Sequence, residues 1–360
     1  MSIIKEKLRT LRLDRVGRGE YTESMRNKRR KHILLLLAGL LFFCACGIGN
    51  KTGDKLTESR FCLDTLVTLT PYEGGSEALL EEAFEELERL ESLLSVHREG
   101  SDLWNLCKKA GKTPVTISPE TMELLLAAKD YYDLSQGYLD ISVGPLIALW
   151  DVGGEGHVPT EKEKEDALAL KGLEELVLDE AASTAYLPRA GMKLDLGALA
   201  KGYMADKLKA FLMGKGVTSA ILDLGHNILL IGGKPSTGSF TVGVKNPLEN
   251  VETDLAAVVE AADKSVVTSG TYERYFERTG VRYHHILDPY TGTPANTGVL
   301  SVTILSDTSL EGDALSTTCL LFGAEKGLAL IESLEGVEAM FIMEDGTRLF
   351  SSGFETLLKE

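Results

Sequence analysis

Three short segments of the sequence combine residue types that could bind and activate a phosphate group. In the first, KLDLGALAKGYMAD (193–206), an alternating segment reaches Gly197 and passes at once into helix-forming residues that carry Lys201. A helix start leaves backbone N–H groups unpaired, and these attract anions such as phosphate. Gly197 would admit a ligand close to the backbone, and Lys201 could reach the same oxygens. Taken alone, the junction equally fits a glycine that serves only packing.

The second segment, SDTSLEGDALSTTCLLFG (306–323), contains an acid and a hydroxyl at helical spacing. Asp313 and Thr317 are four residues apart, so their oxygens share one face of a helix. Mg²⁺ prefers hard oxygen ligands and often completes its coordination with phosphate oxygens. Alternatively, Asp313 serves only the helix dipole while Thr317 packs. The segment by itself leaves both interpretations open.

The third segment, TSGTYERYFERTGVRYHHILDPYTGTP (268–294), offers a turn and a pair of histidines. Backbone N–H groups at the turn Ser269–Gly270 could face a ligand. Strand alternation places His284 and His285 on opposite faces, so only one of them can face a site. That histidine would be either a general base or a hydrogen-bonded structural residue.

These segments must be positioned by a fold, and the chain has enough apolar residues to build one. It has 360 residues, of which 44% are hydrophobic, so it can bury a substantial core. Short strands dominate after Val177, which favours an α+β fold over a parallel βαβ sheet. The pattern predicts a strand at Phe61–Thr70 and MKLDL (192–196), a hairpin at Asp345–Gly346, and helices at Glu77–Leu94, from Ser118–Pro119 to Leu134, at about Ala198–Met213 and at about Gly312–Leu334.

Charge is distributed unevenly along the chain. Residues 1–32 carry 11 basic and 4 acidic side chains, whereas the remaining residues carry 27 basic and 50 acidic ones. Nucleic acid is therefore excluded as a partner of the folded part, because phosphate-backbone binding needs a basic surface.

The N-terminal region has the layout of an export signal. A basic stretch precedes the apolar run Ile33–Phe43, which is too short for a comfortable membrane span. Ala45-Cys46-Gly47 resembles a bacterial lipoprotein processing site at which Cys46 becomes lipidated; an uncleaved signal anchor is the alternative. We therefore expect a basic extension and signal in residues 1–46, a linker in 47–60 and a catalytic domain in 61–360. Cys62, Cys107 and Cys319 are then unpaired thiols without metal-ligand spacing.

Together and in this order, the three segments resemble the ApbE-type flavin transferases, the FAD:protein FMN transferases. The resemblance covers about Phe61–Phe350 and includes YLDISVGPLIALW (138–150) and SVHREGSDLWNL (95–106). It implies a single T-fold-like α+β domain with mixed or antiparallel sheets and several long helices. It also implies Mg²⁺-dependent transfer of the FMN half of FAD to a Thr or Ser hydroxyl of an acceptor protein, with release of AMP.

The resemblance also assigns roles to particular residues. It implies a metal held by the backbone carbonyl of Ala198 and the side chains of Asp313 and Thr317, with Ser316 nearby. It implies that FAD is contacted by Leu63, His97, Leu139, Asp140, Ile141, Asp195, Lys201, Ser269 and Ile286. Leu63 and His97 stand where the family often has Met and Tyr.

In this scheme the metal, with Lys201, neutralises the diphosphate, and His285 is the candidate base, with His284 in reserve. A lipid-anchored protein that faces outward from a bacterial membrane would flavinylate membrane redox subunits or exported flavoproteins. Two other functions remain open: an Mg²⁺-dependent FAD pyrophosphatase, and a flavin-binding lipoprotein without catalysis.

Overall fold

The computed structural model describes residues 56–248 and 254–359. Lys55–Glu360 form one compact unit. Cys46 and the predicted signal lie outside the described residues. Within the described ranges, none of the helices has both the length and the apolar composition needed to cross a bilayer.

Eight α-helices lie in the described residues, together with 3₁₀ turns at Ile141–Val143, Leu173–Glu175 and Phe354–Leu357. The helices are α1 Glu77–Leu94, α2 Asp102–Lys108, α3 Pro119–Leu134, α4 Gly144–Trp150, α5 Glu161–Leu168, α6 Ala200–Gly214, α7 Ser309–Phe322 and α8 Ala324–Ile331.

Fifteen strands accompany them in the same ranges. They are β1 Glu58–Cys62, β2 Thr65–Glu73, β3 Val115–Thr116, β4 Val177–Asp179, β5 Thr184–Tyr186, β6 Ser219–Leu224, β7 Asn227–Ile231, β8 Phe240–Lys245, β9 Leu255–Ala261, β10 Ser265–Gly270, β11 Tyr275–Arg278, β12 Val281–His284, β13 Val299–Ser306, β14 Glu338–Met343 and β15 Arg348–Phe350.

The centre of the fold is an eight-stranded antiparallel sheet in the order β1-β2-β6-β7-β10-β13-β14-β15. Helices cover one face, where Val67 and Leu222 pack among the leucines of α1 and α6. On the other face, the β8–β9 hairpin and the C-terminal 3₁₀ turn cover the middle and far strands, with Phe240 and Phe354 fully buried. The α+β prediction is confirmed.

Helix α1 shows how well local signals define some elements. The side chain of Ser76 accepts a hydrogen bond of 3.1 Å from the backbone N–H of Leu79 and so caps the helix start. Leu80, Leu87 and Leu90 recur at helical spacing and are fully buried, and each contributes roughly 1.5–3 kcal/mol of transfer free energy. The predicted bounds of this helix are confirmed.

Other predicted elements differ from those observed. The expected strand Phe61–Thr70 is a hairpin, because Leu63 and Asp64 both adopt φ near +55° and reverse the chain. Its first strand begins at Glu58, inside the segment predicted as a linker. A leucine in the left-handed region is uncommon, so the sequence carried no ordinary turn signal.

Two further predictions need correction. MKLDL (192–196) is not a strand of any sheet, although its side chains alternate between buried and more exposed positions. The long helix expected over 312–334 is two helices, α7 and α8, because Gly323 between them has φ +78° and α-helical geometry cannot continue through it.

Helices α6 and α7 cap each other through two carboxylates. Asp206 of α6 accepts hydrogen bonds of 2.8 Å from the backbone N–H groups of Ser309 and Leu310, at the start of α7. Asp313 of α7 accepts a 2.9 Å bond from the N–H of Gly202 in the first turn of α6. Each acid thus satisfies N–H groups that a helix start leaves unpaired. The exchange fixes the two helix starts side by side.

Glycine is required at position 202 for this close approach. A Cβ atom there would lie 2.3 Å from the backbone oxygen of Ser309, well inside van der Waals contact. The predicted glycine-rich junction therefore does serve packing, but at Gly202 rather than at Gly197.

We predict that Asp206→Ala lowers the free energy of unfolding by about 1–3 kcal/mol, because two N–H groups at the start of α7 lose their acceptor. Urea denaturation monitored by far-UV circular dichroism measures the change. Asp133→Ala, at an exposed position of α3, is the matched control and should stay within about 0.5 kcal/mol of the wild type. Equal stability of the two variants would refute the structural importance of the capping exchange.

Candidate functional site

A cavity of about 1140 Å³ opens beside the starts of α6 and α7. Its volume exceeds the usual range for drug-sized ligands and suits a dinucleotide. Its wall contains the following predicted site residues: Leu63, His97, Leu139, Asp140, Ile141, Asp195, Ala198, Lys201, Ser269, His285, Ile286, Asp313 and Thr317. Residues that are far apart in the sequence are thus brought together in one cavity wall.

Ser316 is the exception among the predicted site residues in the described ranges. It is fully buried behind the cavity wall, where its hydroxyl donates to the backbone oxygen of Asp313 at 3.0 Å and lies 2.8 Å from Oγ of Ser269. It is therefore a support for its neighbours rather than a wall residue.

The oxygen atoms of Asp313 and Thr317 fit the donor set that Mg²⁺ prefers. The Asp313 carboxylate is only 4% exposed, and the Thr317 hydroxyl lies 3.2 Å from that of Ser269. Burial raises the pKa of Asp313, while the nearby Lys201 ammonium and the Gly202 N–H lower it. In the described residues no group of three or more His, Cys, Asp or Glu side chains forms a protein-only cage. A single carboxylate with hydroxyl and carbonyl oxygens suits an Mg²⁺ ion that also takes substrate oxygens.

Two hydrogen bonds of Asp195 fix the backbone of the junction that precedes α6. Its backbone N–H donates to the carbonyl of Ile141 at 2.7 Å, and its Oδ1 accepts a 2.9 Å bond from the N–H of Gly197. A Cβ atom at position 197 would lie 3.0 Å from that oxygen and meet nothing else within 4 Å. Gly197 therefore leaves room for the Asp195 carboxylate and leaves the backbone open to the cavity.

The side chain of Asp140 is used within the protein. It is fully buried; its Oδ1 accepts bonds from the backbone N–H and the hydroxyl of Ser142, and Lys171 lies 3.2 Å from its Oδ2. A ligand at this wall would therefore meet the backbone of residues 139–141 rather than this carboxylate.

Three cations line the cavity and have no hydrogen-bond or ion-pair partner for their side chains among the described residues. They are Lys193, Lys201 and Arg274. A cleft lined by unpaired cations attracts anionic ligands, so the cavity is suited to a diphosphate although the chain is acidic overall. Sequence reasoning found Lys201 but missed the other two. Arg274 lies within the segment singled out for Ser269, and Lys193 precedes Asp195 by two residues.

The two adjacent histidines have different environments, which settles the choice between them. His284 is buried: its Nδ1 accepts from the N–H of Ile286 at 3.3 Å, so its Nε2 carries the proton that bonds the carbonyl of Ala295 at 2.9 Å. Both ring nitrogens are thus used internally. His285, in contrast, lines the cavity.

The ring of His285 is held in one tautomer. Its Nδ1 lies 3.2 Å from the carbonyl oxygen of Arg274, which can only accept, so Nδ1 carries the proton and Nε2 keeps its lone pair. Burial, together with the positive charges of Arg274 and Lys201, lowers the pKa of His285 to about 4. The ring is therefore neutral at physiological pH and can accept a proton.

Comparison with known proteins identifies the relatives of this chain. The model of the ApbE family matches residues 63–341. An FAD:protein FMN transferase of Klebsiella pneumoniae is 38% identical over 277 residues, which are 77% of this chain and 85% of that protein. Its counterpart in Treponema pallidum is 36% identical over 337 residues, covering 88% and 93%.

Solved structures agree with the sequence relatives. The ApbE protein of Thermotoga maritima superposes with a TM-score of 0.78 at 29% identity, covering 85% of this chain and all of that one. The flavin transferase ApbE of Vibrio cholerae gives 0.76 at 28% identity, covering 85% and 99%.

We predict that the ring protons of His285 titrate near pH 4 in NMR spectra, assigned by comparison with His285→Gln. Because the folded-state pKa lies below the ordinary value of 6.5, the associated stability is fully present above pH 6.5 and is lost as pH falls towards 4. A titration midpoint at or above pH 6.5 would show that the ring is neither buried nor close to the two cations.

Proposed function

The chain belongs to the ApbE family, and we propose that it transfers the FMN moiety of FAD to a Ser or Thr hydroxyl of an acceptor protein, with Mg²⁺ bound and AMP released. It is an FAD:protein FMN transferase, as its curated relatives are. The observation that carries the detailed proposal is the meeting of Asp313, Thr317, Lys201 and His285 on the wall of one dinucleotide-sized cavity.

The residues of the chain have distinct parts in this reaction. The acceptor hydroxyl oxygen forms a bond to the FMN-side phosphorus, and the bond from that phosphorus to the bridging oxygen breaks, so that AMP leaves with the electron pair. Lys201, whose ammonium is not paired within the described residues, neutralises charge on the diphosphate. His285, neutral and with its Nε2 lone pair free, receives the hydroxyl proton.

The carboxylate of Asp313, the hydroxyl of Thr317 and the backbone carbonyl of Ala198 would hold Mg²⁺. When bound, the ion supplies charge neutralisation at the diphosphate and makes AMP a better leaving group. The Asp313 carboxylate also stabilises the fold, because its Oδ2 accepts a hydrogen bond from the backbone N–H of Gly202. Substitution by Asn is therefore the appropriate test, because it keeps an acceptor for Gly202 and removes only the charge.

We also propose that the chain is lipid-anchored through Cys46 and faces outward from a bacterial membrane. The sequence layout of a basic stretch, an apolar run and Ala45-Cys46-Gly47 supports this. The anchor would hold the enzyme close to membrane redox subunits or exported flavoproteins that carry the acceptor hydroxyl.

We predict that Asp313→Asn lowers the rate of acceptor labelling by about 100-fold or more, because the metal loses its only carboxylate ligand. The full chain is mixed with FAD, Mg²⁺ and an acceptor domain; mass spectrometry follows covalent flavin and chromatography follows AMP. Asp307→Asn, whose side chain is 73% exposed and pairs with Lys264, is the matched control and should retain wild-type activity. AMP formed without a covalent adduct would indicate an FAD pyrophosphatase instead, and labelling unchanged in Asp313→Asn would refute the metal site.

We predict that Cys46→Ser moves the protein from the membrane fraction or detergent phase to the aqueous phase in detergent partitioning, because the thiol that receives the lipid is lost. Cys44→Ser removes a cysteine two residues away and should leave partitioning unchanged. Equal partitioning of both variants would favour the uncleaved signal anchor.

A further inference from the structure

The β1–β2 hairpin, whose turn lines the cavity, carries an exposed apolar pair on the sheet face opposite to the helices. Phe61 and Leu66 are directly opposite each other in the β1–β2 ladder, and they are 77% and 57% exposed. The turn that joins the two strands, Leu63 to Thr65, lines the cavity. The apolar pair therefore lies within a few residues of the place where the dinucleotide is proposed to bind.

Among the described residues, the end of this sheet face formed by β1 and the first half of β2 lacks the cover that the rest of the face has; Tyr72, at the other end of β2, packs against Phe240 of the hairpin. The middle and far strands of the same face are buried under the β8–β9 hairpin and the C-terminal 3₁₀ turn. Near β1 and β2, in contrast, Ser59 and Phe61 are exposed to solvent. β1 is also the outermost strand, so the sheet as described has no strand beyond it. Such an edge offers main-chain groups as well as side chains to an extended segment.

A second rim element contacts the first. The turn between β6 and β7 consists of Gly225 and His226, both with φ of +65°. A Cβ atom at Gly225 would lie 2.1 Å from Oγ1 of Thr65, so this turn packs directly on the β1–β2 turn. Glycine at 225 is explained by that contact. The same contact does not explain histidine at 226, because glycine is the residue that adopts a left-handed conformation without strain.

His226, the histidine with the left-handed backbone, forms a hydrogen-bonded pair with Glu273 in the cavity wall. Its Nδ1 lies 2.9 Å from Oε2 of Glu273; its side chain is 46% exposed, that of Glu273 is 23% exposed, and both residues line the cavity. Burial alone would raise the pKa of Glu273, but the hydrogen bond and charge of His226, with smaller contributions from Tyr272 and Lys245, together outweigh it, and the pKa lies below its ordinary value. Glu273 is thus an ionised acceptor for the Nδ1–H of His226, and Nε2 of the ring remains available to a partner.

The pair is close to the reacting groups. The carbonyl of His226 accepts from the N–H of Thr268 at 3.1 Å, and the next residue, Ser269, contacts Thr317 at 3.2 Å. Glu273 is followed by Arg274, whose carbonyl holds the ring of His285. A segment that contacts His226 is therefore led towards the proposed base and metal ligands.

We propose that Phe61, Leu66, His226 and Glu273 form an acceptor rim, a docking surface for an extended segment of the protein that is to be flavinylated. The segment places an apolar side chain against Phe61 and Leu66, and a main-chain group or hydroxyl of the segment forms a hydrogen bond with Nε2 of His226, so that the acceptor hydroxyl enters the cavity. The acceptor is the occupant because it must bring its hydroxyl to this cavity, and His226 and Glu273, at one end of the rim, line the cavity. This inference rests on the proposed transferase function.

The experiment measures acceptor KM, kcat and FAD affinity for full-length variants. We expect the double variant Phe61→Ser, Leu66→Ser to raise the acceptor KM by about 10- to 100-fold, as expected for the loss of two buried apolar contacts. FAD affinity, followed by flavin fluorescence, should be unchanged. Met213→Ser, also an exposed apolar side chain at 50% but in the last turn of α6, is the matched control and should leave acceptor KM unchanged.

His226→Gly separates recognition from structure. Glycine relieves the left-handed strain, which offsets the loss of the contact with Glu273, so the thermal unfolding midpoint should stay close to that of the wild type, while acceptor KM rises. A purely structural histidine would instead give an unchanged KM. An unchanged KM in both the double variant and His226→Gly would overturn the proposal.

Two other occupants of the rim predict different results. If the rim contacts the bilayer, the double variant loses binding to anionic phospholipid vesicles in flotation assays and keeps its acceptor KM. If the chain's own N-terminal segment covers the rim, the double variant shows a lower KM. Either result would overturn the acceptor rim. Absence of any adduct with the wild type would refute the transferase function itself, which distinguishes the two failures.

Discussion

The site depends on the hydrogen bonds that a carboxylate of α6 and a carboxylate of α7 each accept from the start of the other helix. Asp206 and Asp313 each lie on one helix and accept N–H groups from the start of the other. Helix starts are regions of positive potential with unpaired donors, so the hydrogen bonds that each acid accepts there offset part of the cost of its burial. One consequence is that Lys201, in the first turn of α6, lies near Asp313 without forming a direct ion pair with it. The geometry that stabilises the helix pair thus also brings a cation and a carboxylate to one cavity wall.

Although the protein is acidic, its cavity is lined by cations that a diphosphate could contact. The exposed surface carries most of the 54 acidic residues, whereas Lys193, Lys201 and Arg274 line the cavity without partners among the described residues. Cations that are already paired would lose that stabilisation on binding a phosphate, whereas unpaired ones do not. The cavity therefore attracts an anionic dinucleotide without rearrangement of existing ion pairs.

Local signals in the sequence predicted those parts of the fold that local physics determines. The apolar spacing of Glu77–Leu94 predicted α1, and Ser118–Pro119 predicted the capped start of α3. The turn at Leu63–Asp64 was not predicted, because leucine rarely adopts a left-handed backbone, although aspartate tolerates it, and the tertiary contact of Thr65 with Gly225 supports the turn. The hydrogen-bond partner of Asp313 was equally unpredictable from the sequence. Four-residue spacing predicted that it shares a face with Thr317, but nothing in the sequence indicated that Gly202, 111 residues away, donates to it.

Asp313 stabilises the fold and is also the proposed metal ligand, so a substitution there affects both. One oxygen of its carboxylate accepts a hydrogen bond that joins two helices, and a metal would need the negative charge of the same group. Burial raises the pKa of this acid, while the Gly202 N–H and the Lys201 ammonium oppose that shift. The carboxylate is therefore kept in a poorly solvated place by groups that would also surround a bound substrate. A cation there gains more from that carboxylate than it would from one in water, because the interaction is screened less. The same burial that makes the charged acid costly to the fold would therefore strengthen its interaction with a bound metal ion.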